Sequence, residues 1–167
     1  MTGQDGLMQN RASAGKSGLV LIGWLVLCFS AASSAVFITP GNWYATLIKP
    51  SWNPPSWIFG PVWSALYVMM AVAAWLVWRE GGWQKQRAAL GVFLAQWFLN
   101  ALWTPLFFGL HQPGLALTEI VLLWLTLLAT VLEFWQVRRL ASVLLWPYLG
   151  WVSFATFLNF TLWRLNR

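Results

Sequence analysis

From Gly18 onward, nearly every charged side chain in this sequence falls in a gap between five apolar runs. The runs cover residues 18–38, 57–78, 88–110, 115–137 and 143–163. Each is long enough, at about 20 residues, to cross a hydrocarbon core as a helix. Lipid offers no partner for backbone N–H and C=O groups, so spans of this kind close their hydrogen bonds internally as helices. The pattern predicts an all-α integral membrane protein, a five-transmembrane-helix bundle forming one domain over residues 18–167. Composition agrees, with 59% hydrophobic and 8% charged residues, against roughly 25% charged in a soluble domain.

The polar, aperiodic residues 1–17 read as a disordered tail. Arg11 and Lys16, the apolar stretch 19–27 and the small residues FSAASSA also fit a cleavable signal peptide. Val36, Phe37 and Ile38 carry the apolar run on to spanning length, which favours an uncleaved first helix. The segment 39–56 is long for a structureless connection and is therefore a functional suspect. It leads into KPSWNPPSWIFGPVW, where Pro54 and Pro55 stand at a helix start that tolerates proline. Basic residues set orientation. Arg11, Lys16, Arg79, Lys85, Arg87, Arg138 and Arg139 gather on the N-terminal side, and only Lys49, Arg164 and Arg167 on the other. A cytoplasmic N-terminus follows, with the long loop and the C-terminus on the far side. The formal charge of +6 is scattered rather than clustered, which argues against nucleic acid as a partner.

Enzyme signatures are lacking: the chain has no Gly-rich phosphate loop, nucleophile elbow or closely spaced carboxylate pair. The single histidine, His111, excludes a bis-histidine haem site within one chain and reads as a turn residue at the membrane surface. No metal site is expected. The one cysteine, Cys28, excludes an internal disulfide. Glu119 and Glu133 are the ionisable groups inside the spans, and such groups are functional suspects by default. Glu133 can reach the interface near Arg138, whereas Glu119 has no partner that spacing can name.

The third run carries two distinct faces. Asn100, Trp103 and Phe107 share one face at i, i+3, i+7, and Pro105 should kink the helix or free a carbonyl. Gly91 and Ala95 point nearly the opposite way as a small-xxx-small pair, suited to helix contact in a dimer or within the bundle. In the fifth run Trp151, Ala155 and Leu158 share a side with Asn159 at its edge, and Ala155 leaves room for a ligand. Phe59, Trp63 and Tyr67 form a ladder in the second. Most tryptophans suit an interfacial belt, but mid-span tryptophans beside asparagines point to a site.

The segments NWYATLIKPSWNPPSWIFGPVWSALY, LNALWTPLFFG and PYLGWVSFATFLNFTLWRLN, in this order, resemble the TspO/MBR family. Its members are the translocator or tryptophan-rich sensory proteins, called peripheral benzodiazepine receptors in animals. The likeness spans residues 18–166 and fits a bacterial member. It implies a five-helix bundle, a homodimer, and a pocket beneath the first loop for porphyrins and synthetic isoquinoline or benzodiazepine ligands. Carried over by motif, the ligand-binding residues are Trp43, Tyr44, Trp63, Asn100, Trp103, Phe107, Trp151, Ala155 and Asn159, and Gly91 and Ala95 are read as the dimer contact. The expected role is a membrane receptor or sensor of tetrapyrroles (protoporphyrin IX or haem as ligand, no obligatory cofactor), with Lys49 or Asn100 as donors to propionates. A light-dependent porphyrin-degrading activity involving Trp63 and Trp151, or a porphyrin or lipid carrier, are the alternatives. Phe160 and Thr161 stand where the animal sterol pattern has tyrosines, so sterol binding is at most weak. The expected location is the bacterial cell envelope, with the inner membrane favoured.

Overall fold

The computed structural model describes the backbone of residues 3–38 and 41–167; the side chains of residues 3–16, 35 and 36 lie outside that description. Seven α-helices follow in order: α1 (Gly3–Ser30), α2 (Ser33–Phe37), α3 (Gly41–Thr46), α4 (Phe59–Trp78), α5 (Gly82–Thr104), α6 (Pro113–Val137) and α7 (Arg139–Leu165). A 3₁₀ turn at Ser56–Ile58 leads into α4, and a π-helical turn at Pro105–Gly109 ends α5. The described residues form an all-helical chain, and four of the helical segments are long and apolar enough to cross a membrane. This is an integral membrane protein.

The first apolar run departs from expectation. Residues 18–38 do not form one continuous span, because α1 stops at Ser30 and the chain turns at Ala31 and Ala32 before α2. The Ser30 hydroxyl donates to the Leu27 carbonyl at 2.6 Å. Ser30, Ser33 and Ser34 follow one another closely here, and serine side chains compete with the backbone for the helix's own hydrogen bonds. The apolar part of α1, Ser17–Ser30, is thus shorter than a crossing. At its other end α1 begins at Gly3, within the stretch read as a disordered tail.

The segment 39–56 also holds more order than a plain loop, since α3 lies within it. Gly41 enters α3 at φ +53°, a left-handed conformation open to glycine. Beyond α3, the side chain of Asn166 grips the loop backbone. Its Oδ1 accepts from Ile48 N at 2.8 Å and its Nδ2 donates to Ile48 O at 2.9 Å. Trp52 stacks on Phe157 of α7 at 5.3 Å. The loop and the C-terminus therefore share one end of the bundle, as charge counting anticipates.

Helices α4, α5, α6 and α7 pack around a common core, with α1 against α4. Trp97 Nε1 donates to Leu27 O at 2.7 Å and Trp75 Nε1 to Ser17 O at 2.9 Å, which ties α1 to α5 and α4. The largest buried side chains include Tyr148, Phe93, Phe107 and Phe134. Helices α6 and α7 form an antiparallel hairpin broken at one residue, Arg138, whose backbone is extended at φ −156°. Arg138 also pairs with Glu80 at 2.6 Å and joins the two short turns at that end. A surface pair of this kind contributes about 0–1 kcal/mol.

This arrangement places Lys49 and Arg167 at one end of the bundle and Lys85 at the other. In full-length protein reconstituted in vesicles, a membrane-impermeant maleimide should label Lys49→Cys and Arg167→Cys from one face and Lys85→Cys from the opposite face. Native Cys28 is fully buried and should give little background. Labelling of all three from the same face would refute the topology.

Candidate functional site

Pro105 organises the end of α5. Proline has no N–H to continue the α-helical ladder, and here the backbone widens into the π turn Pro105–Gly109, with Leu110 N bonding to Pro105 O at 2.9 Å. A π turn shifts the helical phase of the residues after it and recurs at functional sites. It delivers Phe107 and Phe108 into one cluster with Trp103. Trp103 stacks on Phe107 at 4.9 Å and meets Phe108 edge-on at 5.7 Å. Phe107 is 1% exposed.

The short helix α3 closes this cluster from above. The Trp43 ring meets Phe107 edge-on at 5.8 Å and stacks on His111 at 4.3 Å. His111 itself sits at φ +54°, so the HQPG turn is tight enough to force a left-handed residue. Tyr44 packs edge-on against both Phe107 and Phe108. Burial pushes the Tyr44 phenol above its ordinary pKa, an effect partly offset by its hydrogen bond to Asn53 Oδ1. At neutral pH it is therefore a donor. The Lys49 ammonium lies 4.6 Å from the centre of the Tyr44 ring and also bonds the Ala45 and Leu47 carbonyls.

Two polar ties hold the walls. Trp103 Nε1 donates to Asn159 Oδ1 at 3.1 Å, and Asn159 Nδ2 donates to Pro113 O at 2.8 Å. One side chain thus links α5, α7 and the start of α6. Deeper, Tyr67 OH donates to Asn100 Oδ1 at 3.1 Å, and Asn100 Nδ2 donates to Tyr148 OH at 2.8 Å, linking α4, α5 and α7. Trp63 stacks on Tyr67 at 5.4 Å and touches Tyr148 edge-on at 6.0 Å. Trp151 meets Phe59 edge-on at 5.8 Å. Ala155 is half-buried and packs against the main core, as Trp151 and Trp103 do.

Residues 19–164 match the family model for TspO/MBR. The chain is 47% identical over 145 residues to the tryptophan-rich protein TspO of Chlorobaculum tepidum, covering 85% of this chain and 91% of that one. It is 46% identical over 127 residues to the human translocator protein, covering 75% of each. It is 42% identical to the tryptophan-rich sensory protein of Cereibacter sphaeroides, covering 86% of this chain and 89% of that one. The chain belongs to the TspO/MBR family.

In this TspO/MBR chain the residues singled out in the sequence fall into two connected groups. Trp43, Tyr44, Phe107 and Asn159 form the upper group beneath α3. Trp63, Asn100, Trp151 and Ala155 form the lower one. Trp103 packs against both clusters and is the hinge between them. Asn100 bridges two tyrosines rather than facing outward. Gly91 and Ala95 stand apart, on the outer surface. A Cβ at Gly91 would meet nothing within 4 Å, so this small pair is not used for packing inside the bundle.

Several important residues escaped sequence reasoning. Tyr148 is fully buried, and its place one turn before Trp151 is the only signal that could have found it. Asn166 and Phe154 look like generic chain-end and lipid-facing residues. Gly114 reads as a turn glycine, yet a Cβ there would stand 2.9 Å from Trp163 Nε1, so it also admits the Trp163 ring.

Asn100→Leu should destabilise the protein by about 2 kcal/mol, because it leaves two buried tyrosine hydroxyls without their partner. Adding Tyr67→Phe and Tyr148→Phe should recover part of that loss, since no orphaned hydroxyl remains. Denaturation in detergent would measure both. Additive losses would argue against a coupled network.

Proposed function

We propose that this protein is a membrane receptor or sensor that binds a flat, largely apolar ligand of the tetrapyrrole class, protoporphyrin IX or haem, beneath the α3 segment. The observation that carries the reading is the group of aromatic rings formed by Trp43, Tyr44, Phe107 and Trp103, with Trp103 packed against the same core as Trp63 and Trp151. Flat macrocycles gain most from offset or edge-on contact with such rings. The site holds few polar groups, as ligand pockets generally do. Ring stacking recognises the macrocycle itself, so the reading does not depend on the metal of haem. The relatives' names, translocator and sensory protein, point to ligand-linked roles of those proteins and support a receptor reading here.

The proposal extends to the fifth crossing, the orientation and the oligomer. Together α1 and α2 make a fifth, broken crossing beside α4 and α5. The basic excess at the N-terminal end supports a cytoplasmic N-terminus, with the bacterial inner membrane as the favoured location. The open Gly91–Ala95 face is a close-approach surface for a second copy of the chain, so the working unit is a homodimer.

Titrating the detergent-solubilised protein with protoporphyrin IX should quench tryptophan fluorescence saturably. Trp63→Ala combined with Trp151→Ala should weaken the apparent affinity by about tenfold or more, the loss expected from removing two aromatic contacts. Trp103→Ala should do the same alone. Unchanged affinity in all of these variants would sink the site assignment.

A further inference from the structure

The loop that carries Trp43 and Tyr44 meets the bundle through two kinds of contact. On the α5 side, ring lies against ring: Trp43 and Tyr44 touch Phe107, Phe108 and His111. Among the described residues no hydrogen bond joins α3 to the π turn or to α6. On the α7 side the tie is directional. The Asn166 amide meets both the N–H and the C=O of Ile48, a residue 118 positions away in the chain. The same Nδ2 donates to Leu162 O at 2.8 Å, which fixes the amide on the end of α7.

The loop's own bracing carries that grip to the rings. Lys49 Nζ donates to the Ala45 and Leu47 carbonyls at 3.4 and 3.2 Å and lies over the Tyr44 ring. Thr46 Oγ1 donates to Trp43 O at 2.8 Å, and Tyr44 OH donates to Asn53 Oδ1 at 3.4 Å. Residues 43–53 are thus cross-braced, and the point at which Ile48 is held decides where Trp43 and Tyr44 stand.

The two kinds of contact respond differently to a flat ligand. A ring that leaves Phe107 or Phe108 regains an equivalent contact on the ligand's face. A backbone N–H and C=O that leave an amide regain nothing from an apolar face. We propose that Asn166 is a positioning residue for the ligand site, holding Ile48 as a fixed pivot while Trp43 and Tyr44 exchange Phe107 and Phe108 for the ligand. This rests on the ligand-binding reading above and assigns the placement of the loop to one side chain. Ile48 is 62% exposed, so without Asn166 its backbone groups bond water and the bundle loses little. What is lost is the order of α3 over the site, which binding must then restore at the expense of affinity.

The test uses the full-length protein in detergent and compares Asn166→Ala with the parent and with Trp103→Ala. Amide hydrogen exchange reads the loop without ligand. Residues 41–53 of Asn166→Ala should exchange about tenfold faster or more, the scale of two lost hydrogen bonds. Exchange in α4 to α7 and the melting temperature should stay at parent values. Protoporphyrin IX then reads the site, and its dissociation from Asn166→Ala should be about tenfold faster. Parent-like exchange over residues 41–53 would refute the anchor. Faster exchange there with parent-like dissociation, while Trp103→Ala releases the ligand faster, would separate the anchor from binding and overturn the inference with the site reading intact. Faster exchange throughout α4 to α7, or a lower melting temperature, would make Asn166 a general packing residue and equally overturn it. If Trp103→Ala also releases protoporphyrin as the parent does, the site reading itself has failed and the inference falls with it.

Discussion

The bridge from Tyr67 through Asn100 to Tyr148 is the contact on which the rest of the bundle depends. In lipid, helices gain nothing from burying apolar surface against one another, so packing and interhelical hydrogen bonds must hold them. Asn100 is 6% exposed and spends both ends of its amide on tyrosines from two other helices. That fixes the relative rotation of α4, α5 and α7 at one level. Asn159 does the same one layer nearer the loop, through Trp103 and Pro113. The two asparagines act as successive pins. Trp103, bonded to Asn159, belongs to the candidate site, so side chains that hold the bundle are also part of that site.

The loop completes this arrangement by a different route. Its hold comes from the Trp43 and Tyr44 rings against Phe107, Phe108 and His111 and from one asparagine at the far end of the chain. Asn166 satisfies both backbone groups of Ile48 in the manner of a neighbouring strand. Trp52 then covers Phe154 and Phe157 on α7.

Hydropathy made the membrane class and four of the crossings legible, because lipid tolerates few solutions and charge placement reveals them. In the first run it could not show the break after Ser30, because a sliding count registers Ser30 as mildly polar and does not register that its hydroxyl bonds the Leu27 carbonyl. Helical spacing put Asn100, Trp103 and Phe107 on one face, and Trp103 and Phe107 do stack, but Phe107 lies beyond α5 in the π turn at Pro105, which regular spacing cannot contain. The partners of Asn100 were out of reach for a simpler reason. Nothing local in Tyr67 or Tyr148 distinguishes a core hydroxyl that meets an amide from an interfacial one that meets water. Gly91 and Ala95 were visible as a pair, and only the packed bundle shows that their face looks outward.

The aromatic rings of the site face one another: Trp103 covers Phe107, Trp43 covers His111, and Trp63 covers Tyr67. Such pairs contribute about 0.5–1.5 kcal/mol each beyond their buried area. A macrocycle entering here must exchange those contacts for its own, and the exchange is nearly even ring for ring. Differential affinity then has to come from groups that gain a partner only when ligand is present. Asn100 and Asn159 are already satisfied, so neither can supply it without breaking a pin. The buried groups that lack a partner in the packed state, Glu119 and Gln96 among them, are the ones that a change of packing could satisfy.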